Sequence, residues 1–301
     1  MRLTSFQRLA LATTATTYFL ILVGGLVRAS GAGLGCPDWP RCFGGWIPPA
    51  SVADLPPQFD PALFNPALMW TEYLNRLLGV AVGFLILATT ISAWRHHRRD
   101  RGILWTTIAA FLLVGFEGWL GGRVVAYGLT PWIVTAHLIV ALIIVQLLLY
   151  ATYASGASGA SGASGASGAS GASRAAAVLI GVTLLQVGFG TQVRERIDAA
   201  RDAGIERDLA LGTVGWLDYL HRDLAFAVLA GAALLTFWVW SRQPRLLGWS
   251  VVVLALALLQ VGLGIFMAYG ALLPAAQVGH LTLASLMLGA ETVLWLMSRR
   301  R

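Results

Sequence analysis

Apolar residues along this chain fall in long, nearly unbroken runs, and the polar and charged residues gather in the stretches between them. A helix needs about 20 residues to cross roughly 30 Å of hydrocarbon. Eight such runs occur, at approximately 8–27, 71–93, 103–123, 132–153, 175–194, 215–239, 247–268 and 275–297. The pattern predicts an all-α polytopic membrane protein with eight transmembrane helices. Span 1 is long enough to cross the bilayer rather than serve as a cleaved leader.

The runs repeat one another. Glu72-Tyr73-Leu74-Asn75-Arg76 in span 2 returns in span 6 as Asp218-Tyr219-Leu220-His221-Arg222. Tyr127 to Leu138 resembles Tyr269 to Leu281, each with Tyr-Gly, a proline, and His-Leu beginning six residues after that proline. Glu117-Gly118-Trp119-Leu120-Gly121 matches Gln260-Val261-Gly262-Leu263-Gly264, and Gly24 to Arg28 loosely matches Gly190 to Arg194. Internal symmetry of this kind predicts two pseudo-symmetric four-helix bundles. The first is 1–153, with a long cysteine-bearing loop, and the second is 174–301. Between them, 154–173 is a tract of Ala-Ser-Gly repeats that cannot bury a core. It is expected to act as a flexible tether reaching about 25 Å, whether natural or a replacement for another loop.

Composition fits this reading. The chain is 57% hydrophobic and 12% charged, with a mean hydropathy of +0.72, too little polar surface for a soluble domain. A net charge of +7 raises nucleic acid as a partner, but the arginines cluster in short inter-span loops, as a topology signal does. Arg2, Arg8, Arg95, Arg98, Arg99, Arg101, Arg174, Arg242, Arg245 and Arg299 to Arg301 fall on one side of an eight-span arrangement. That side is expected to be the cytoplasm, with both termini inside a cell membrane and the loop carrying Cys36 and Cys42 outside. A lone cysteine pair there suits an oxidising compartment, either as a structural disulfide or as a redox-active pair.

Chemistry concentrates on three of the five histidines. His96 and His97 read as solvated charge in an Arg-rich loop, whereas His137, His221 and His280 lie inside apolar spans, where an ionisable group is costly and points to function. His137 and His280 sit about 9 Å down their helices from the prolines. Asn75 and His221 are expected within the first turns of spans 2 and 6, which pairs 75 with 137 and 221 with 280. Two imidazoles facing each other in an apolar bundle suit a bis-histidine haem better than a structural zinc, which gathers four compact ligands. Glycines 79, 83, 118, 121, 122, 262 and 264 would let a flat macrocycle approach. Arg28, Arg76, Arg123, Arg194 and Arg222 are candidates for haem propionates, or for snorkelling to the interface.

With these residues the chain resembles the haem A synthases. The GGLVR segment, the Cys36-Pro37-Asp38-Trp39-Pro40-Arg41-Cys42 loop, the acid-x-x-Asn/His-Arg stretch and the His-Leu pairs together carry the resemblance, which spans everything but the Ala-Ser-Gly tract. It implies a C-terminal half holding haem b, its iron bound by His221 and His280. It also implies an N-terminal half that takes haem O as substrate and oxidises a porphyrin methyl to formyl, giving haem A for terminal oxidases. His137, Glu72 and the Cys36/Cys42 pair match the family pattern, with Asn75 and Arg76 beside the substrate haem. Asn75 departs from the pattern, in which histidine is commoner, and leaves one face of the substrate iron without an imidazole.

Glu72, three residues before Asn75, is the candidate catalytic group, as proton acceptor or orienter of water. The competing reading is a carboxylate stabilised by a helix N-terminus, which Asp218 fits better. Glu117, in the place of Gln260, and Glu291 are further intramembrane acids. Haem O synthase and the assembling oxidase are expected neighbours, alongside an electron acceptor that the sequence does not name. Two other functions compete: a non-catalytic haem-handling protein, and a quinone-linked thiol oxidoreductase built on Cys36 and Cys42.

Overall fold

In a computed structural model, which describes residues 3–157 and 171–299, the chain is helical throughout its long elements. The helices are α1 (Ser5–Ala29), α2 (Pro66–His97), α3 (Arg101–Ala126), α4 (Pro131–Ala157), α5 (Gly171–Asp202), the single turn α6 (Arg207–Ala210), α7 (Trp216–Arg242), α8 (Leu247–Tyr269) and α9 (Pro274–Ser298). All but α6 are long and apolar enough to cross a membrane. No strand occurs among the described residues. Local chemistry sets the starts. Thr4 and Gln7 close a capping box on α1, Asn65 caps α2 with Pro66 at its first position, and Asp100 caps α3.

The chain divides into two compact units, Met1–Leu148 and Leu149–Arg301. In the first, α2 packs on α1 and α3, and α4 joins them around Val82, Ile86, Ala110, Ile144 and Leu148. Apolar contact does little to drive helices together in hydrocarbon, so short polar side chains add specificity between them. The hydroxyls of Thr13 and Thr89 stand 2.9 Å apart across α1 and α2, and Thr90 donates to the Thr107 carbonyl at 3.0 Å across α2 and α3. In the second unit α5 packs on α7 and α9, and α8 on the same two, closing a four-helix ring. Its core includes Leu179, Val228, Leu235, Val253, Met287 and Leu294. Thr183 donates to Glu291 at 2.9 Å from α5 to α9. Large apolar side chains such as Phe84, Leu112, Leu234 and Phe237 face outward, as lipid contact demands.

Four features depart from the sequence reading. Helix α2 begins at Pro66 rather than near residue 71, so Asn75 lies in its third turn and not at its mouth. Helix α5 runs on to Asp202 through a segment expected to be a loop. There Val193, Ile197 and Ala200 recur on one face and bury against Ala210, Val214 and Leu217, while Arg194 and Asp198 pair across one turn at 2.9 Å. Of the Ala-Ser-Gly tract, residues up to Ala157 extend α4 and those from Gly171 open α5; the intervening part of the expected tether lies outside the described residues. His97 is not simply solvated, since its ring packs on Phe6 at 4.7 Å.

Candidate functional site

In the second unit, α7 and α9 bring His221 and His280 face to face, with ring centres 6.4 Å apart and planes inclined at 64°. An imidazole bound at about 2 Å puts its ring centre about 3 Å from a metal ion, so two on opposite faces of one ion stand about 6 Å apart. The observed spacing therefore suits one iron between the rings. Each Nδ1 is buried without a hydrogen-bond partner. No group of three His, Cys, Asp or Glu side chains converges as a metal-ion ligand set among the described residues.

The two histidines are set by matched supports. Gln186 of α5 donates to the His221 carbonyl at 2.8 Å, and Gln260 of α8 donates to the His280 carbonyl at 2.8 Å. Both bonds fix the helix turn that carries the histidine. Gly190 lies under the His221 ring, where a Cβ would come within 2.9 Å of Cε1, and Gly264 lies under His280, where the distance would be 3.7 Å. Gln186 escaped the sequence reading, although a glutamine in an apolar run was a visible signal, and Gly190 entered it only as part of the GGLVR echo.

The first unit repeats half of this arrangement. Gly121 lies under His137, with 3.4 Å from a would-be Cβ to Cε1. Glu117 brings Oε1 to 3.3 Å from His137 Nδ1, near enough for an ion pair but without hydrogen-bond alignment. Asn75 Oδ1 is buried and has no partner. At Gly24, the counterpart of Gly190, an added Cβ meets nothing within 4 Å.

Around Glu72 the geometry reshapes the expectation. Glu72 is 4% exposed and lies beyond the first turn of α2, so a helix N-terminus does not account for it. Its Oε2 accepts the Cys36 N–H at 2.8 Å, and its Oε1 pairs with Arg76. Arg76, expected at a propionate, is turned into the loop instead: it donates to the carbonyls of Asp38 at 2.7 Å, Arg41 at 2.8 Å and Cys36 at 3.2 Å. A guanidinium carries five N–H donors in a fixed fork, which lets one side chain hold three carbonyls and a carboxylate. Asp218, by contrast, stands in the first turn of α7 and pairs with Arg222 at 2.6 Å, while Arg222 donates to the Tyr269 hydroxyl at 2.7 Å.

Cys36 and Cys42 are disulfide-bonded, both fully buried, and packed with Phe43 and Met69. Asp38 accepts the N–H groups of Phe43 at 2.6 Å and Gly44 at 2.9 Å, and Tyr73 donates to the Trp46 carbonyl at 2.7 Å. The loop sets Trp39 against Gly122, where a Cβ would meet the indole at 2.8 Å. Gly122 thus seats a loop side chain, rather than clearing space for a macrocycle. Glycines 79, 83, 118 and 262 have no neighbour within 4 Å of an added Cβ. Arg123 lies over the rings of Trp119 and Tyr127, with its Nε lacking a partner.

Comparison with known proteins agrees with the resemblance read from the sequence. The COX15-CtaA family, described as a cytochrome oxidase assembly protein, matches residues 7–292. A haem A synthase of Shewanella oneidensis is 31% identical over 155 residues, which are 50% of this chain and 44% of that protein. One from Geobacillus kaustophilus is 26% identical over 140 residues, covering 46% and 40%. One from Brucella anthropi is 25% identical over 284 residues, covering 82% and 78%. The chain thus spans less than half the length of the first two and over three quarters of the third. With eight candidate spans, it is a multi-pass membrane protein.

Proposed function

Because the chain belongs to the COX15-CtaA family of cytochrome oxidase assembly proteins, we propose that it is a membrane oxidoreductase converting haem O to haem A, by oxidation of a porphyrin methyl to formyl, for terminal oxidase biogenesis. The observation that carries this reading is the imidazole pair at 6.4 Å in one bundle, together with its partial echo in the other. On this proposal residues 174–301 are the cofactor half and 1–153 the substrate half. The protein sits in the cell membrane with its termini cytoplasmic and its disulfide loop outside, in accord with the arginine pattern. Haem O synthase and the nascent oxidase are its neighbours.

His221 and His280 would hold haem b, which supplies reversible one-electron chemistry at its iron. Gln186 and Gln260 fix the turns that carry those histidines, and Arg222 with Tyr269 frames a polar rim to which a propionate can pair. In the other half His137 would bind the substrate haem with the Glu117 carboxyl close to its Nδ1, and Arg123 is a cation available to a propionate. Oxidising a methyl group to formyl takes an oxygen atom from a small co-substrate, passes electrons to an acceptor outside the chain and releases protons, and Glu72 is the proposed proton acceptor, taking one at Oε2 in exchange for its bond from Cys36 N–H. The burial of both cysteines favours a bracing disulfide over a thiol relay.

The test is pigment extraction from a host that supplies haem O. Conversion to haem A by the wild-type chain is expected, and bound haem b without conversion would establish the haem-handling alternative. Glu72→Gln keeps an acceptor for Cys36 N–H but turns an NH2 toward Arg76 and takes up no proton, so haem A is expected to disappear, and unchanged resistance of the cysteine loop to proteolysis separates lost chemistry from a disturbed loop. Undiminished haem A in that variant would remove Glu72 from the chemistry.

A further inference from the structure

The two halves offer four equivalent positions for an imidazole over a glycine, and three are filled. His221 stands over Gly190, His280 over Gly264 and His137 over Gly121, with would-be Cβ contacts of 2.9, 3.7 and 3.4 Å. By the repeat, the fourth pair is Asn75 and Gly24, and at Gly24 an added Cβ meets nothing within 4 Å. An asparagine amide ends short of where the far nitrogen of an imidazole reaches, and a neutral amide oxygen is a poor ligand for iron that imidazole suits. Its Oδ1 is also buried without a protein partner. Rotation of the amide presents either an acceptor or two donors toward the same space.

We propose that the N-terminal half holds its iron porphyrin from one face only, through His137, and that the opposite face, between Asn75 and Gly24, is a binding site for a small neutral ligand of two or three atoms. This rests on the haem-handling reading above. The Asn75 amide supplies the hydrogen bond that orients such a ligand, and the Gly24 notch supplies the room. The two halves then differ in kind: a closed, twice-ligated site in the C-terminal half and an open one in the N-terminal half.

Carbon monoxide is the probe. The full-length protein, purified with haem b, is titrated with haem O to a second equivalent, reduced, and exposed to the gas. Wild type is expected to bind one carbon monoxide per chain at a high-spin second haem. Asn75→His is expected to turn that haem low-spin and lose the adduct. Asn75→Ala is expected to keep the adduct with a shifted C–O stretch, because the amide contact is gone. A second haem that binds but is low-spin and silent to carbon monoxide in wild type overturns the proposal. So does an adduct indifferent to both substitutions. If the chain takes up no second haem at all, the substrate-half assignment itself fails, and stoichiometry distinguishes that outcome.

Discussion

Glu72 with Arg76 and Asp218 with Arg222 occupy the same places in two copies of one stretch, yet they hold different things. In the first unit the arginine grips three loop carbonyls and the acid grips a loop amide. In the second the arginine reaches only its own acid and the Tyr269 hydroxyl. The neighbouring tyrosines follow suit, since Tyr73 holds the Trp46 carbonyl while Tyr219 is 68% exposed. A duplicated helix therefore preserves where a side chain starts, and what is laid over it decides what the side chain does. The difference teaches that in one half this stretch sets a histidine facing its partner, while in the other the same framework anchors a cap.

Four pairs of substitutions press on that contrast. The largest effect is expected from His221→Ala, which removes one of the two imidazoles proposed to hold haem b and should abolish a low-spin haem signal in visible and electron paramagnetic resonance spectra. Asn75→Ala should leave that signal intact. Next is Arg76→Ala, which strands a buried carboxylate and three carbonyls and should cost about 3 kcal/mol, read as a lowered thermal midpoint in detergent. The equivalent Arg222→Ala, at a partly exposed pair, should cost about 1 kcal/mol or less. If the two fall equally, the anchoring role of Arg76 is lost.

A third effect is spectroscopic. Gly190→Ala brings a methyl to 2.9 Å from His221 Cε1, so the ring must turn and the haem b spectrum should shift without unfolding. Gly24→Ala should leave the haem b spectrum of the other half untouched. The smallest is Tyr73→Phe, which gives up one hydrogen bond worth about 1 kcal/mol and should speed proteolysis of the cysteine loop. Tyr219→Phe should change nothing measurable in the same assay.

Most of this architecture could be read from the chain because its two strongest signals are local. Eight apolar runs declare eight spans, and the prolines at 131 and 274 mark helix starts that put His137 and His280 at matching depth. The pairing of His221 with His280 was legible because the repeat doubled every cue. Other features depend on groups that a sequence does not distinguish. Arg76 binds backbone carbonyls, which every residue carries, so nothing in residues 36–41 announces it. The seat of Trp39 on Gly122 joins distant segments without a shared motif. The charged stretch after residue 194 looked like a loop because its charges outnumber its apolar positions, yet the few apolar ones share a face and find cover. Asn75 seemed shallow only because Asn65 and Pro66 start the helix earlier than hydropathy does.

The clamp on the cysteine loop has a consequence for how this surface can change. Arg76 reads the path of the main chain between Cys36 and Arg41, not the identity of the residues along it. Cys36, Asp38 and Trp39 hold the strap by contacts of their own, so exchange with the shape kept is confined to positions such as Arg41, of which Arg76 grips only the carbonyl. Variation there would change the charge that the loop presents while the buried ion pair beneath it keeps its hold.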